Sequence, residues 1–136
     1  MRYLFLSVCA ASIAMASVVA RSQDAAATPD LYTAKVQPIL QQNCYKCHGN
    51  GNHKGGLVMD TRDSFLKGGH DGPDIMPGDP DKSLLVSLIK QQVPSSYDDL
   101  EAMPPDPKPK LNDDDISTIV QWIKAGAPMP AAAPKP

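Results

Sequence analysis

Apolar residues recur at helical spacing in several stretches of the chain, and glycine- and proline-rich segments separate them. Tyr32, Val36, Ile39 and Leu40 share one helical face. Thr28 can cap this first helix, Pro29 suits its first position, and Asp30 complements its positive end. Pro38 interrupts the pattern and predicts a kink or a restart. Leu57 to Met59 is a candidate for a very short strand, and a very short β-hairpin is the only β structure expected. Thr61 to Lys67 predicts a short helix ended by Gly68-Gly69. Asp79-Pro80 predicts a capped start for a helix whose apolar stripe is Leu84, Leu85, Leu88 and Ile89. Asn112 caps a last helix with Asp113, Asp114 and Asp115 in its first turn; Ile116, Ile119, Val120 and Ile123 form the buried face, and Gly126 ends it.

Two long loops join these pieces. Residues 49–56 are turn-rich, and residues 94–110 carry Pro94, Pro104, Pro105, Pro107 and Pro109, too many for a helix or an inner strand. The expectation is an all-α fold in one small domain, residues 29–127, preceded by a flexible leader, 21–28, and followed by a disordered Pro/Ala tail, 128–136. No internal repeat is visible.

The first twenty positions follow a different logic. Met1-Arg2 precedes an uncharged run from Tyr3 to Ala20, and Val18 and Ala20 fit a small-x-small cut site. Residues 1–20 therefore read as a secretory signal peptide, which places the mature protein in the periplasm or outside the cell. A retained anchor is the alternative, but the run is rich in Ala and Ser and short for a span of about 20 strongly apolar residues. Leu6-Ser7-Val8-Cys9 is a poor lipoprotein box. Signal removal takes Cys9 away and leaves Cys44 and Cys47.

Composition adds one clue about the core. The aromatics beyond the signal are Tyr32, Tyr45, Phe65, Tyr97 and Trp122, few for a domain of this size. A large flat apolar cofactor would supply the missing mass. The net charge of −2 gives no nucleic-acid footprint.

Cys44-Tyr45-Lys46-Cys47-His48 has the C-x-x-C-H spacing that haem c attachment requires. Two thiols at i and i+3 share a helical face and can add to the two vinyl groups on one porphyrin edge. His48, directly after Cys47, can then reach the iron as the proximal ligand. Three other readings compete: a disulfide, a redox-active dithiol, and a zinc site built from Cys44, Cys47 and two of His48, His53 and His70. No βαβ pattern supports the dithiol, and the spacings do not match a zinc finger.

A closed electron-transfer haem needs a sixth ligand, usually Met or His. Met103 precedes Pro104-Pro105 in the stiff loop, which can hold a thioether in place with little freedom left to lose. Met76 also precedes a proline and is the competitor. Met59 is assigned to the core and Met129 to the tail. His53 is too close to His48, and His70 lies in a glycine-rich loop. Trp122 on the last helix suits core packing or a cofactor edge.

The chain resembles the planctomycete-type cytochrome c domain, itself similar to class I c-type cytochromes. The matching pieces are Val36 to Leu40, Cys44 to Gly49, and Gly55-Gly56-Leu57-Val58-Met59-Asp60-Thr61-Arg62. They continue with Pro77 to Pro80, Ser83-Leu84-Leu85, Met103-Pro104-Pro105, and Trp122 to Ala127, all in order. The resemblance implies first and last helices that cross around one haem c, covalently bound by Cys44 and Cys47. It also implies that His48 and Met103 ligate the iron.

A monohaem one-electron carrier is the leading expectation, with no catalysis of its own, since no Ser/His/Asp set or carboxylate pair is present. A haem-based sensor, or an electron-transfer subunit of a larger exported oxidoreductase, is the alternative. The expected partners are redox proteins on either side. Nucleic acid, and membrane once the signal is gone, are not expected, and the chain is expected to be a monomer. Lys46, Lys54 and Lys67 are candidates for a docking rim.

Overall fold

The computed structural model describes residues 31–130. The signal peptide, the leader, the Thr28-Pro29-Asp30 start and the tail from 131 onward lie outside the described residues. Within them the chain is helical, and its only β pairing is an isolated bridge between Gly69 and Gly72. The expected strand at Leu57 to Met59 does not form. That segment pairs with no strand; the Met59 N–H donates to the His48 carbonyl at 2.7 Å, and the Leu57 N–H faces the Lys54 carbonyl at 3.4 Å.

The first helical segment shows what Pro38 does. Residues Tyr32–Val36 form a π turn, and helix α1 (Gln37–Asn43) follows directly. Pro38 has no N–H to offer the preceding turn and its ring crowds that turn's carbonyls. The backbone widens instead, and the Gln37 N–H reaches back five residues to the Tyr32 carbonyl. The apolar face survives this change, with Tyr32, Val36 and Leu40 fully buried. Cys44 then acts as a hinge (φ −117°, ψ −41°) into the short helix α2 (Tyr45–His48).

Helix α3 (Arg62–Lys67) starts on Thr61, whose side chain accepts from the Ser64 N–H, and buries Phe65. It stops at Gly68, where φ is +78°. A Cβ at Gly68 would lie 1.9 Å from the Gly72 carbonyl oxygen, and one at Gly69 would lie 2.6 Å from the Gly55 oxygen. The two glycines let three backbone segments meet. Gly68→Ala is expected to destabilise the protein by about 3–5 kcal/mol, because both the left-handed backbone and the backbone clash must be relieved. Urea midpoints of the two proteins test this, and an unchanged midpoint would mean that the loop can open at little cost.

The helix expected from Asp79 is two pieces. Asp79 caps a 3-10 turn, Pro80–Lys82, and helix α4 (Leu84–Ile89) follows after a break at Ser83. The buried Ser83 hydroxyl makes the break: it donates to the Asp79 carbonyl at 2.9 Å and accepts from the Met76 N–H at 2.9 Å. Those local bonds compete with helix continuation. The predicted stripe of Leu84, Leu85, Leu88 and Ile89 is buried, together with Val86.

Helix α5 (Asp113–Lys124) begins as expected, with the Asn112 side chain accepting from the Asp115 N–H at 2.8 Å. Its most buried residues are Ile119, Trp122 and Ile123, while Ile116 and Val120 sit at the edge of the core. The Trp122 ring lies 5.7 Å from Tyr32 and 5.9 Å from Phe65, centroid to centroid, and so joins the first helical segment, α3 and α5. Residues 128–130 depart from the expected loose tail. Gly126 (φ +95°) turns the chain back, Met129 is buried, and the Pro128 carbonyl accepts from the Trp122 indole N–H at 3.0 Å. A buried indole needs such an acceptor, and the sequence nearest to hand provides it.

Candidate functional site

A cavity of about 370 Å³ opens beside α2 and brings Cys44, Cys47, His48 and Met103 together. Its walls include Leu57, Met59, Leu85, Leu88, Ile89 and Leu111, which make it apolar. Its size falls within the range of about 300–1,000 Å³ usual for small-molecule and cofactor sites.

Local packing fixes the first side of the site. Between the two cysteines, Tyr45 points the other way and is buried; its hydroxyl donates to the Met59 carbonyl at 3.2 Å and contacts the Tyr32 hydroxyl at 3.3 Å. The Tyr45 ring covers Gly49 so closely that a Cβ there would sit 2.9 Å from it. Gly49 is therefore required for close approach. The His48 carbonyl accepts from Met59, as described above. Tyr45 and Met59 were not singled out for the site from the sequence; the Tyr45 position between the cysteines is the only signal, since it must leave the shared Cys face.

The Pro-rich loop supplies the second side. The Met103 N–H donates to the Leu88 carbonyl at 3.0 Å, and the Met103 carbonyl accepts from the Gln91 side chain at 2.9 Å. Met103 is thus tied through both polar groups of its backbone, to α4 at Leu88 and to the turn after it at Gln91. Its neighbours Pro104 and Pro105 also line the cavity. Met76, the competing methionine, is 42 % exposed and is not among the residues of the cavity wall.

The electrostatics are those of a partly dehydrated pocket. Burial pushes the Cys44 thiol up to about 11, against a lowering influence from Lys108, so it is a thiol rather than a thiolate at neutral pH. Burial also lowers His48 from the ordinary histidine value, with the backbone at Lys54 and Leu57 acting the other way. His48 is neutral at pH 7, which leaves it a lone pair for a metal. Its Nδ1 is buried without a hydrogen-bond partner. A buried nitrogen with no partner marks a place where a further group belongs.

The competing chemistries fit less well. Cys44 and Cys47 are unpaired thiols. Among the described residues, no group of three or more His, Cys, Asp or Glu gathers as a metal site, which removes the geometry for zinc. His53 and His70 are both exposed; the His70 ring lies over Gly56, and His53 Nδ1 faces the Gly51 carbonyl at 3.4 Å. Trp122 is spent on the core. Of the lysines considered for a rim, Lys54 lines the cavity, while Lys46 and Lys67 are exposed and stand away from it; Lys108 takes a place there that the proline-rich sequence around it gave no reason to expect.

Two thiols one helical turn apart, an adjacent imidazole and a thioether thus line one apolar cavity. The family model for planctomycete cytochrome C matches residues 44–107, from the first cysteine through the proline-rich loop. This part of the chain is a planctomycete-type cytochrome c domain. Domains of this class bind haem c and carry electrons. Neither the curated proteins nor the solved structures include a match to the chain. Among the described residues, no helix is long and apolar enough to cross a membrane.

Proposed function

We propose that the protein is an exported monohaem c-type cytochrome that carries single electrons between partner proteins, as a monomer. The observation that carries this reading is the convergence of Cys44, Cys47, His48 and Met103 on one apolar cavity. The residues present fit haem c: the cysteines are free thiols, the imidazole is neutral with an unpartnered nitrogen, and the walls are hydrophobic. Export follows from the signal-like residues 1–20 and from the attachment of haem c outside the bacterial cytoplasm.

Haem c supplies one-electron iron chemistry when it is bound. The rest is the work of the chain. Cys44 and Cys47 would hold the porphyrin through thioethers, and His48 would offer its imidazole nitrogen to the iron. Met103 would offer its thioether sulfur to the iron, a donor that raises the reduction potential relative to histidine. Leu57, Leu85, Leu88 and Ile89, which line the cavity, would keep water from a ring seated there. With His48 and Met103 both given to the iron, the site would suit electron exchange rather than binding of a substrate at the metal.

The absorption spectrum of the oxidised holoprotein tests the ligand set. The weak near-infrared band of methionine sulfur on ferric haem is expected in the native protein and is expected to vanish in Met103→Ala. Haem attached without that band in the native protein would sink the Met103 assignment. Rapid carbon monoxide binding by the reduced native protein would then favour a sensor.

A further inference from the structure

One carboxyl group in the cavity wall has no part in holding haem. Asp74 is only 8 % exposed, yet it lines the same cavity as Cys44, His48 and Met103. Its backbone is fastened to α4, because its carbonyl accepts from the Leu85 N–H at 2.9 Å. Its Oδ2 accepts from the Gly69 N–H at 3.1 Å. The other carboxyl oxygen has no hydrogen-bond partner among the described residues, and the residue lines the cavity. The Gly68-Gly69 knot described above exists to bring these pieces together, and no side chain larger than hydrogen fits there.

We infer that Asp74 takes up a proton from solvent when an electron enters the site and releases it when the electron leaves. The inference rests on the haem-carrier reading. Electron delivery by a one-electron donor removes one unit of positive charge from the iron. A carboxylate in the wall of a poorly solvated cavity registers that change strongly, since charges interact over longer range where water is scarce. The oxidised site favours the carboxylate and the reduced site favours the acid. One O–H bond forms at Asp74 as one electron arrives, and the total charge of the pocket stays constant.

The surroundings leave Asp74 near this balance. Burial raises its pKa, the Gly69 N–H lowers it, and the Asp71 carboxylate raises it again. The other charged or titratable groups facing the cavity are His48, Lys54, Asp99, Glu101 and Lys108. Exposed His70 is close by on the same loop, and α4, packed against Asp74, carries no charged side chain. Of these groups Asp71 is the one that acts on the Asp74 charge.

The test is a spectroelectrochemical titration of the holoprotein at a series of pH values, from about pH 4 to pH 8. Proton uptake on reduction makes reduction harder as pH rises. At fixed electrode potential, the oxidised-to-reduced ratio of the native protein is expected to rise on the order of tenfold across this range. Asp74→Asn is expected to abolish that dependence, and Asp71→Asn to move it to lower pH. A flat native profile, or the same profile in Asp74→Asn, overturns the inference; the latter would assign the proton to a haem propionate. Should Asp74→Asn fail to fold, the native protein still decides. Its reduced-minus-oxidised infrared spectrum is expected to gain a protonated carboxyl band, which Asp74→Glu should shift, and absence of the band overturns the inference. Failure of the carrier reading looks different: no covalent haem, or no reversible couple at any pH, would remove both.

Discussion

With Cys44 and Cys47 both replaced by serine, the protein made in a host that attaches haem c is expected to yield no covalent haem. Acid–organic extraction should strip all colour from the variant and none from the native chain, and mass spectrometry should find the bare polypeptide. The reason is chemical rather than conformational. Serine nearly matches cysteine in size, and neither sulfur is tied up in a disulfide, so α1 and α2 have no packing reason to move. A hydroxyl cannot replace a thiol in the thioether bond. Each single variant should keep one bond and therefore some covalent haem. Full retention of haem by the double variant would show that attachment lies elsewhere and would remove the basis for the proposed function.

Trp122→Ala should produce the largest loss of stability of any core truncation, about 3–5 kcal/mol. The indole is fully buried and touches both Tyr32 and Phe65, so its removal opens a hole where three helical segments meet. It also leaves the Pro128 carbonyl without its donor. Trp122→Phe retains a ring and should recover most of the packing while losing that hydrogen bond. Denaturant midpoints of the three proteins would separate these contributions. A loss below about 1 kcal/mol in Trp122→Ala would mean that the last helix does not lock the fold.

The sequence made the helices legible because capping and burial agree in them. Asp79 and Asn112 each accept the backbone hydrogen bond that their position promised, and Thr61 does the same at the start of α3. The attachment motif was legible for a similar reason, since its spacing is local and needs no knowledge of tertiary contacts. Interruptions were harder. Pro38 announced a disturbance but not that a π turn would absorb it, and the break at Ser83 depended on bonds to Met76 and Asp79 that no periodicity records. The loop segments carried the least signal. Asp74 and Lys108 enter the cavity through long-range chain closure, and Met129 is buried by a return after Gly126 that resembles a tail in composition. Met103 stood out through its prolines, yet its attachment to Leu88 and Gln91 is a tertiary fact.

That attachment has a consequence for entropy. An axial ligand on a loose loop would have to freeze many backbone torsions each time it bound, at roughly 1–2 kcal/mol per residue. The Met103 backbone is already immobilised through both its polar groups. Only the side-chain torsions remain to be fixed, and a long unbranched side chain loses no more than about 2 kcal/mol in doing so. In the proposed site, even a weak donor such as a thioether would then stay bound to iron at little further cost in ordering.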